Sequence, residues 1–336
     1  MGNRQIIVAS LPSGALSASD FELRDAPEPQ PGEGEVLCRT LAITMGAGQR
    51  AGLQGSASYA GAPATGVVMG GTGVARVEAS NDPSFRPGDV VVAPTGWQEL
   101  SVHGARTLQR VDGDADPALH LGALGTNGLT AYFGLLDVGR PVEGETVVVS
   151  AASGSVGHLV GQIARIRGCR TVGVAGSDEK CSMLIDRLGF DGAVNHRDPG
   201  FRDGFRSTVR QVGSGIDVYF DNTGGEILAA SLRVMRPHGR IVCCGVVSQY
   251  DTSTPEPGPR GIPGLLVNNR IRMEGFLVFD YAERYEEARQ QLLAWIATGE
   301  LIPLVDEWHG LDQAPAAFVD LLAGGNVGTR IVRIAD

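Results

Sequence analysis

The chain contains 336 residues, 43% hydrophobic and 20% charged, with a formal net charge of −10. That length is about twice a typical domain and predicts two domains, or one carrying a large insertion. No apolar run approaches the ~20 residues that a bilayer requires, and the negative balance opposes general binding to nucleic-acid phosphates. Neither membrane nor nucleic acid is therefore an expected partner.

The first segment, MGNRQIIVASLPSGALSASDFELRD, lacks an apolar core followed by a small-residue cleavage site. It reads as a first strand, and the expected location is cytoplasmic. Up to about residue 120 the chain shows short β-type runs: IIVAS (6–10), GEVLCRTLAI (34–43), TGVVMGGTGVARVEA (65–79) and DVVVAP (89–94). Gly and Pro punctuate them, which predicts a largely antiparallel β domain. From about 122 strands alternate with helices. TVVVSAA (146–152) leads into a glycine-punctuated helix (154–168), then TVGVAGS (171–177), a helix over 179–189, AVNH (193–196) and a helix near 201–212. DVYFDNTGG (217–225), a helix over 226–236 and GRIVCCGVVS (239–248) continue the pattern. Such alternation predicts a doubly wound parallel sheet, and the near-continuous apolar strands predict burial on both faces. The Pro- and Gly-rich stretch 253–270 reads as a long loop, either a lid or an inert excursion. An amphipathic segment (281–300) and a short β-type tail with one more helix close the chain; the tail is read as returning to the N-terminal domain.

The five cysteines, Cys38, Cys169, Cys181, Cys243 and Cys244, show no CxxC spacing. They are expected to be reduced thiols and no tetrahedral zinc set is predicted. His103, His120, His158, His238 and His309 have no close partner spacing and read as surface or core residues.

The strongest local signal is VVVSAASGSVGHLVGQIAR (147–165), a strand, a glycine turn and a helix in that order. Gly154 and Gly157 would let the backbone approach a pyrophosphate resting on amides at the positive helix end, and Gly161 would allow close helix–sheet contact. Ala152 stands where a plain GxGxxG has its first glycine. A purely structural turn is the alternative reading. At the end of the second strand, Ala175, Gly176 and Ser177 supply no carboxylate for a ribose 2′-hydroxyl. Lys180 can instead give a point charge to a 2′-phosphate, with Ser177 donating a hydrogen bond, which favours NADP(H). The competing reading is a capping Ser177-Asp178 pair and a solvated lysine.

Eight segments in order resemble the zinc-independent medium-chain dehydrogenases/reductases: FRPGDVVV (85–92), GWQE (96–99), LGTNGLTAYFGL (122–135 region), AASGSVGHLVGQIAR (151–165), GSDEKC (176–181), DNTGGE (221–226), CGVVSQY (244–250) and GGNVGT (324–329). They are similar in particular to the group of leukotriene B4 12-hydroxydehydrogenase/prostaglandin reductases, plant alkenal double-bond reductases and bacterial curcumin reductase. The resemblance implies an α/β fold: a Rossmann doubly wound parallel sheet over 123–299, plus a GroES-like, mainly β catalytic domain of 1–122 and 300–336, with the active cleft at their junction. It implies NADPH contacts from Asn127, Thr130, Gly154, Ser155, Val156, Gly176, Ser177, Lys180, Asn222, Gly245, Ser248, Tyr250, Phe276, Leu277, Val278 and Asn326. His196 stands where the family usually has a tyrosine and is placed in the same set. A homodimer through the edge of the Rossmann sheet is also implied.

The family chemistry is hydride transfer from nicotinamide C4 to the β-carbon of an α,β-unsaturated ketone or aldehyde, with a tyrosine hydroxyl stabilising or protonating the enolate. Tyr59, in GSASYAG, and Tyr250, in SQY, each resemble such a tyrosine, and each has a plain alternative as a packing or loop residue. Where relatives carry a DPYMR-like segment this chain reads ITMGAGQRAGL (43–53), so Met45, Gln49 and Arg50 are expected to shape a substrate pocket of their own. The alternatives are quinone or carbonyl reduction, alcohol oxidation with the same cofactor, or a non-redox protein that keeps fold and cofactor.

Overall fold

The computed structural model describes residues 2–56, 61–255 and 258–335. The chain begins with strands β1 (Gly2–Val8), β2 (Phe21–Pro27) and β3 (Glu35–Met45), helix α1 (Ala47–Leu53), and strands β4 (Gly73–Ser80), β5 (Val90–Ala93), β6 (Leu100–Gly104) and β7 (Gln109–Arg110). Helices α2 (Pro117–Leu121) and α3 (Thr126–Phe133) come next. They are followed by β8 (Thr146–Val149), α4 (Gly157–Ile166), β9 (Arg170–Ala175), α5 (Asp178–Asp186), β10 (Gly192–Asn195), α6 (Phe201–Val212), β11 (Ile216–Asp221) and α7 (Gly225–Leu232). The remainder is β12 (Met235–Cys243), α8 (Ile262–Asn269), β13 (Arg272–Gly275), α9 (Tyr285–Ala297), β14 (Val305–His309), α10 (Ala314–Leu322) and β15 (Thr329–Arg333). Two compact units result, one of Met1–Gly125, Asp251–Ser253 and Val305–Asp336, the other of Thr126–Tyr250 and Thr254–Leu304.

The first unit is mainly β. Its larger sheet runs β14-β15-β3-β4-β5-β7, with β6 also on β3, and only the β14–β15 pair is parallel. The central β3 is apolar on both faces, so it feeds two cores. Val36 and Cys38 join Val77 and Val91 in one, while Ile43 and Met45 join Trp97 and Phe318 in the other. Trp97 stacks on Phe21 at 5.4 Å and meets the edge of Phe318 at 5.6 Å, so α10 from the tail is built into this core.

The second unit holds a six-stranded sheet in the order β10-β9-β8-β11-β12-β13, with every pair parallel. All four residues of β8 and all six of β11 are buried, as strands covered on both faces require. Strand order reverses between β8 and β11, where sheets of this kind open a crevice at the carboxyl ends of the strands. The structure departs from the sequence reading at two places. The helix expected over 226–236 ends at Leu232: Ile216 pairs with Met235 but Val218 pairs with Arg240, so residues 236–239 bulge out of β12. Pro237 has no amide to extend a helix, and His238 adopts φ +66°. Within 253–270, residues 262–269 are helical, with Pro263 in the first turn where its missing N–H is not needed.

Candidate functional site

The turn between β8 and α4 is set by close backbone approach. Ala151 takes φ +46° and its carbonyl accepts from the Gly154 amide at 2.9 Å. A Cβ on Gly157 would lie 2.2 Å from that same carbonyl, so only glycine fits there. A Cβ on Gly161 would sit 1.9 Å from the Phe190 ring, which packs directly on the bare helix face. His158, one of the histidines read as surface or core, is a core residue. Its Nδ1 bonds the Gly154 carbonyl at 2.8 Å and its Nε2 lies 3.0 Å from the Leu304 amide, which must donate to it. This pairing defines a neutral imidazole with the proton on Nδ1, and burial pushes its pKa down to about 4, against the raising effect of the Gly154 and Ser155 backbone. Gln162, one turn on, donates to the Ile302 carbonyl and accepts from the Ile302 amide. The two side chains thus hold 302–304 against the helix that begins at the glycine turn.

At the end of β9, Gly176 and Ser177 lead into α5. The Ser177 hydroxyl accepts from the Lys180 amide at 3.3 Å, so the capping role is present and Lys180 lies in the first turn. Lys180 is the only lysine in a chain with 28 basic Lys and Arg residues. The Asp178 carboxylate accepts from Asn195 Nδ2 at 2.9 Å, and the His196 amide donates to the Ala175 carbonyl at 2.9 Å, folding 195–197 across the end of β9. A Cβ on Gly176 would lie 3.5 Å from His196 Nε2 and 3.7 Å from Arg197 Nε. The His196 pKa is pushed below its ordinary value by burial first and by the Arg197 cation second. Arg197 was not singled out from the sequence; two adjacent basic residues just past the third parallel strand were the available signal.

On the other side of the switch point, Asp221 ends β11 almost fully buried. It accepts from the Tyr219 hydroxyl at 2.8 Å and from the Thr223 and Gly224 amides at 3.0 and 2.8 Å. Burial raises its pKa, while the Gly224 amide, the Tyr219 hydroxyl and the other donors pull it back. Asn222 donates its side-chain amide to the Ser150 carbonyl at 2.7 Å, and its own carbonyl accepts from the Val247 amide at 3.2 Å. The Ser248 amide donates to the Thr223 carbonyl at 3.0 Å, and a Cβ on Gly245 would meet the Asn222 carbonyl at 3.1 Å. Asn222, Gly245, Ser248 and Tyr250 are thereby brought together on one tightly bonded pair of loops. Asp221 organises that pair and was missed from the sequence, where it is only one letter of an apolar run.

Phe276, Leu277 and Val278 follow β13. Phe276 closes over Gly134, where a Cβ would be 2.5 Å from its ring; Leu277 is exposed, and Val278 is buried with its carbonyl accepting from the Tyr285 hydroxyl. Asn127 and Thr130 are half-buried on α3. The five thiols are unpaired, and burial pushes each pKa up to about 11 or 12, so none is a ready thiolate.

The remaining residues belong to the first unit. Asn326 bonds the Gly328 carbonyl, and Tyr59 lies outside the described residues. The expected pocket needs correction. Met45 is 1% exposed within the Trp97 core, so it packs rather than lines a cavity. Arg50 is also 1% exposed; it bonds Asp251 at 2.9 Å and the Gly14 carbonyl at 2.7 Å. It therefore fastens the Asp251–Ser253 segment to this unit instead of presenting a charge to substrate, although its buried Nη1 has no partner among the described residues. Gln49 is turned to its own loop, bonding the Gly46 amide and the Gly70 carbonyl.

An all-parallel sheet with a glycine turn after its first strand, a basic end to its second and a bonded loop pair across the switch point defines a dinucleotide-binding oxidoreductase. The chain belongs to the zinc-independent medium-chain dehydrogenase/reductase family. Residues 4–111 match the family described as N-terminal domain of oxidoreductase, and residues 155–298 the one described as zinc-binding dehydrogenase. Among the described residues no group of three or more His, Cys, Asp or Glu side chains is placed to hold a metal ion. The chain is 38% identical over 338 residues to the NADPH-dependent curcumin reductase of Escherichia coli (strain K12), covering 99% of this chain and 97% of that protein. With the NADP(+)-dependent 2-alkenal reductase of Nicotiana tabacum it shares 39% identity over 346 residues, covering 100% and 98%. The crystal structure of CurA in complex with NADPH from Vibrio vulnificus matches it with a TM-score of 0.94 at 39% identity, over 99% of both chains.

Proposed function

We propose that this protein is an NADPH-dependent reductase that adds hydride to the conjugated C=C bond of an α,β-unsaturated carbonyl compound. The observation that carries this reading is end-to-end similarity, at 38–39% identity, to relatives named for NADPH-dependent curcumin reduction and NADP-dependent 2-alkenal reduction.

The cofactor fits the residues present. The glycine turn brings the backbone of 151–157 close upon itself at Gly154 and Gly157, and the space beside Gly176 is walled by an imidazole and a guanidinium where a carboxylate would repel a 2′-phosphate. Gly154, Ser155 and Val156 would hold the pyrophosphate, Ser177, Lys180 and His196 the adenosine end, and Asn222, Gly245, Ser248 and Tyr250 the nicotinamide end. Asn127, Thr130, Phe276, Leu277, Val278 and Asn326 complete the set. When bound, NADPH supplies a hydride to the β-carbon of the enone. The chain's own task is to orient the carbonyl, exclude water and provide a proton to the enolate that develops, through the Tyr250 or Tyr59 hydroxyl.

A cytoplasmic homodimer belongs to the same reading. Five unpaired cysteines accord with a reducing compartment, and no helix among the described residues is long and apolar enough to cross a membrane. The test is NADPH consumption with an enone, an ortho-quinone and a saturated ketone, followed by product identification. Fast turnover with the enone and a saturated ketone as product is expected. Turnover confined to the quinone or the saturated ketone would overturn the assignment.

A further inference from the structure

A 2′-phosphate needs positive charge and hydrogen-bond donors at the strand end where an NAD site places a carboxylate. Here the sequence supplies one ammonium, Lys180, on the α5 side. The fold adds a second cation from the opposite side. After β10 the chain turns across the end of β9, fixed by the His196 amide on the Ala175 carbonyl at 2.9 Å and by the Arg197 amide on Asn195 Oδ1 at 3.0 Å. This turn sets the guanidinium against the space that Gly176 leaves open, with Nε 3.7 Å and Cζ 3.8 Å from the position a Cβ would take.

Asp178 is held by Asn195 at 2.9 Å, and Glu226 by Arg202 Nε at 2.9 Å. In a protein of net charge −10 this strand end sets His196 and Arg197 beside Gly176, with Lys180 in the first turn of α5 and no acidic side chain at 175–177. A guanidinium offers a planar fork that matches two phosphate oxygens, which a lysine ammonium cannot do.

We propose that Arg197 is a second determinant of NADPH selectivity, sharing the ribose 2′-phosphate with Lys180 from the far side of the Gly176 space. Lys180 contributes a point charge and Arg197 a directional pair of N–H donors, with the His196 ring bordering the same space. The inference rests on the NADPH reading given above.

Calorimetric titration with 2′,5′-ADP and 5′-AMP separates the two claims, because the ligands differ only in the 2′-phosphate and neither can react. The unaltered chain should bind 2′,5′-ADP at least tenfold more tightly. Arg197→Gln should lose about tenfold for 2′,5′-ADP with 5′-AMP unchanged, Arg197→Lys should recover part of the loss, and Lys180→Gln/Arg197→Gln should bind both ligands alike. Should the unaltered chain favour 2′,5′-ADP and Arg197→Gln keep that preference, the role of Arg197 is refuted while the NADPH reading stands. Equal weakening of both ligands by Arg197→Gln would also refute it, as general damage to the adenosine site. If the unaltered chain itself shows no preference, the NADPH reading fails and the inference falls with it.

Discussion

At the scale of single residues, His158 joins the glycine turn to the segment at 302–304 as a buried neutral imidazole. Its ring has an acceptor facing the Leu304 amide, and protonation at Nε2 would set two donors against each other. The unfolded chain binds this proton near pH 6.5 and the folded chain only near pH 4. The contribution to stability is therefore complete above pH 6.5 and declines as pH falls toward 4. At pH 5 the loss is about 2 kcal/mol relative to pH 7. Urea unfolding of the unaltered chain and of His158→Gln at both pH values checks this. The stability gap between them should narrow by about that amount at pH 5, and an unchanged gap would refute the neutral-histidine account. The glycine turn and the start of α5 are legible in the sequence because each signal is local: a strand, a bend and a helix start in quick succession. His158 and Arg197 are not, since each depends on neighbours that only the fold brings near, and Asp221 is not because its burial and the turn that points the Thr223 and Gly224 amides at it appear only in the fold.

Among the elements, the central parallel strands β8, β9 and β11 are legible because burial makes them short apolar runs bounded by small or polar residues. What escapes is where a run is interrupted: the 236–239 bulge in β12 looks like the end of a helix, and α8 looks like loop because Pro263 and Gly264 open it. Met45 and Arg50 are misread for a related reason. A departure from a family motif gives no sign that the replacing side chains turn into a core. Strand β13 is the last in its sheet, and α8 just before it exposes Val267 to 74%. An open sheet edge, together with an exposed apolar side chain on the preceding helix, favours pairing with a second copy across a two-fold axis. Sedimentation velocity should accordingly find a dimer that Val267→Glu weakens, and a monomer at micromolar concentration would contradict this.

At the scale of the whole molecule, the sequence makes the two-part organisation visible through a change of rhythm near residue 122, from glycine-separated strands to alternating strand and helix. It does not show that Asp251–Ser253 leaves the second unit to join the first, because that excursion depends on the Arg50–Asp251 pair. In the proposed reaction hydride reaches carbon conjugated to a carbonyl. Incubating the protein with NADPH deuterated at nicotinamide C4 on the transferred face, together with a simple enone, and locating the label by NMR tests it most directly. Deuterium is expected on the β-carbon of a saturated ketone whose carbonyl is intact. Deuterium on a carbinol carbon, with the double bond preserved, would contradict it.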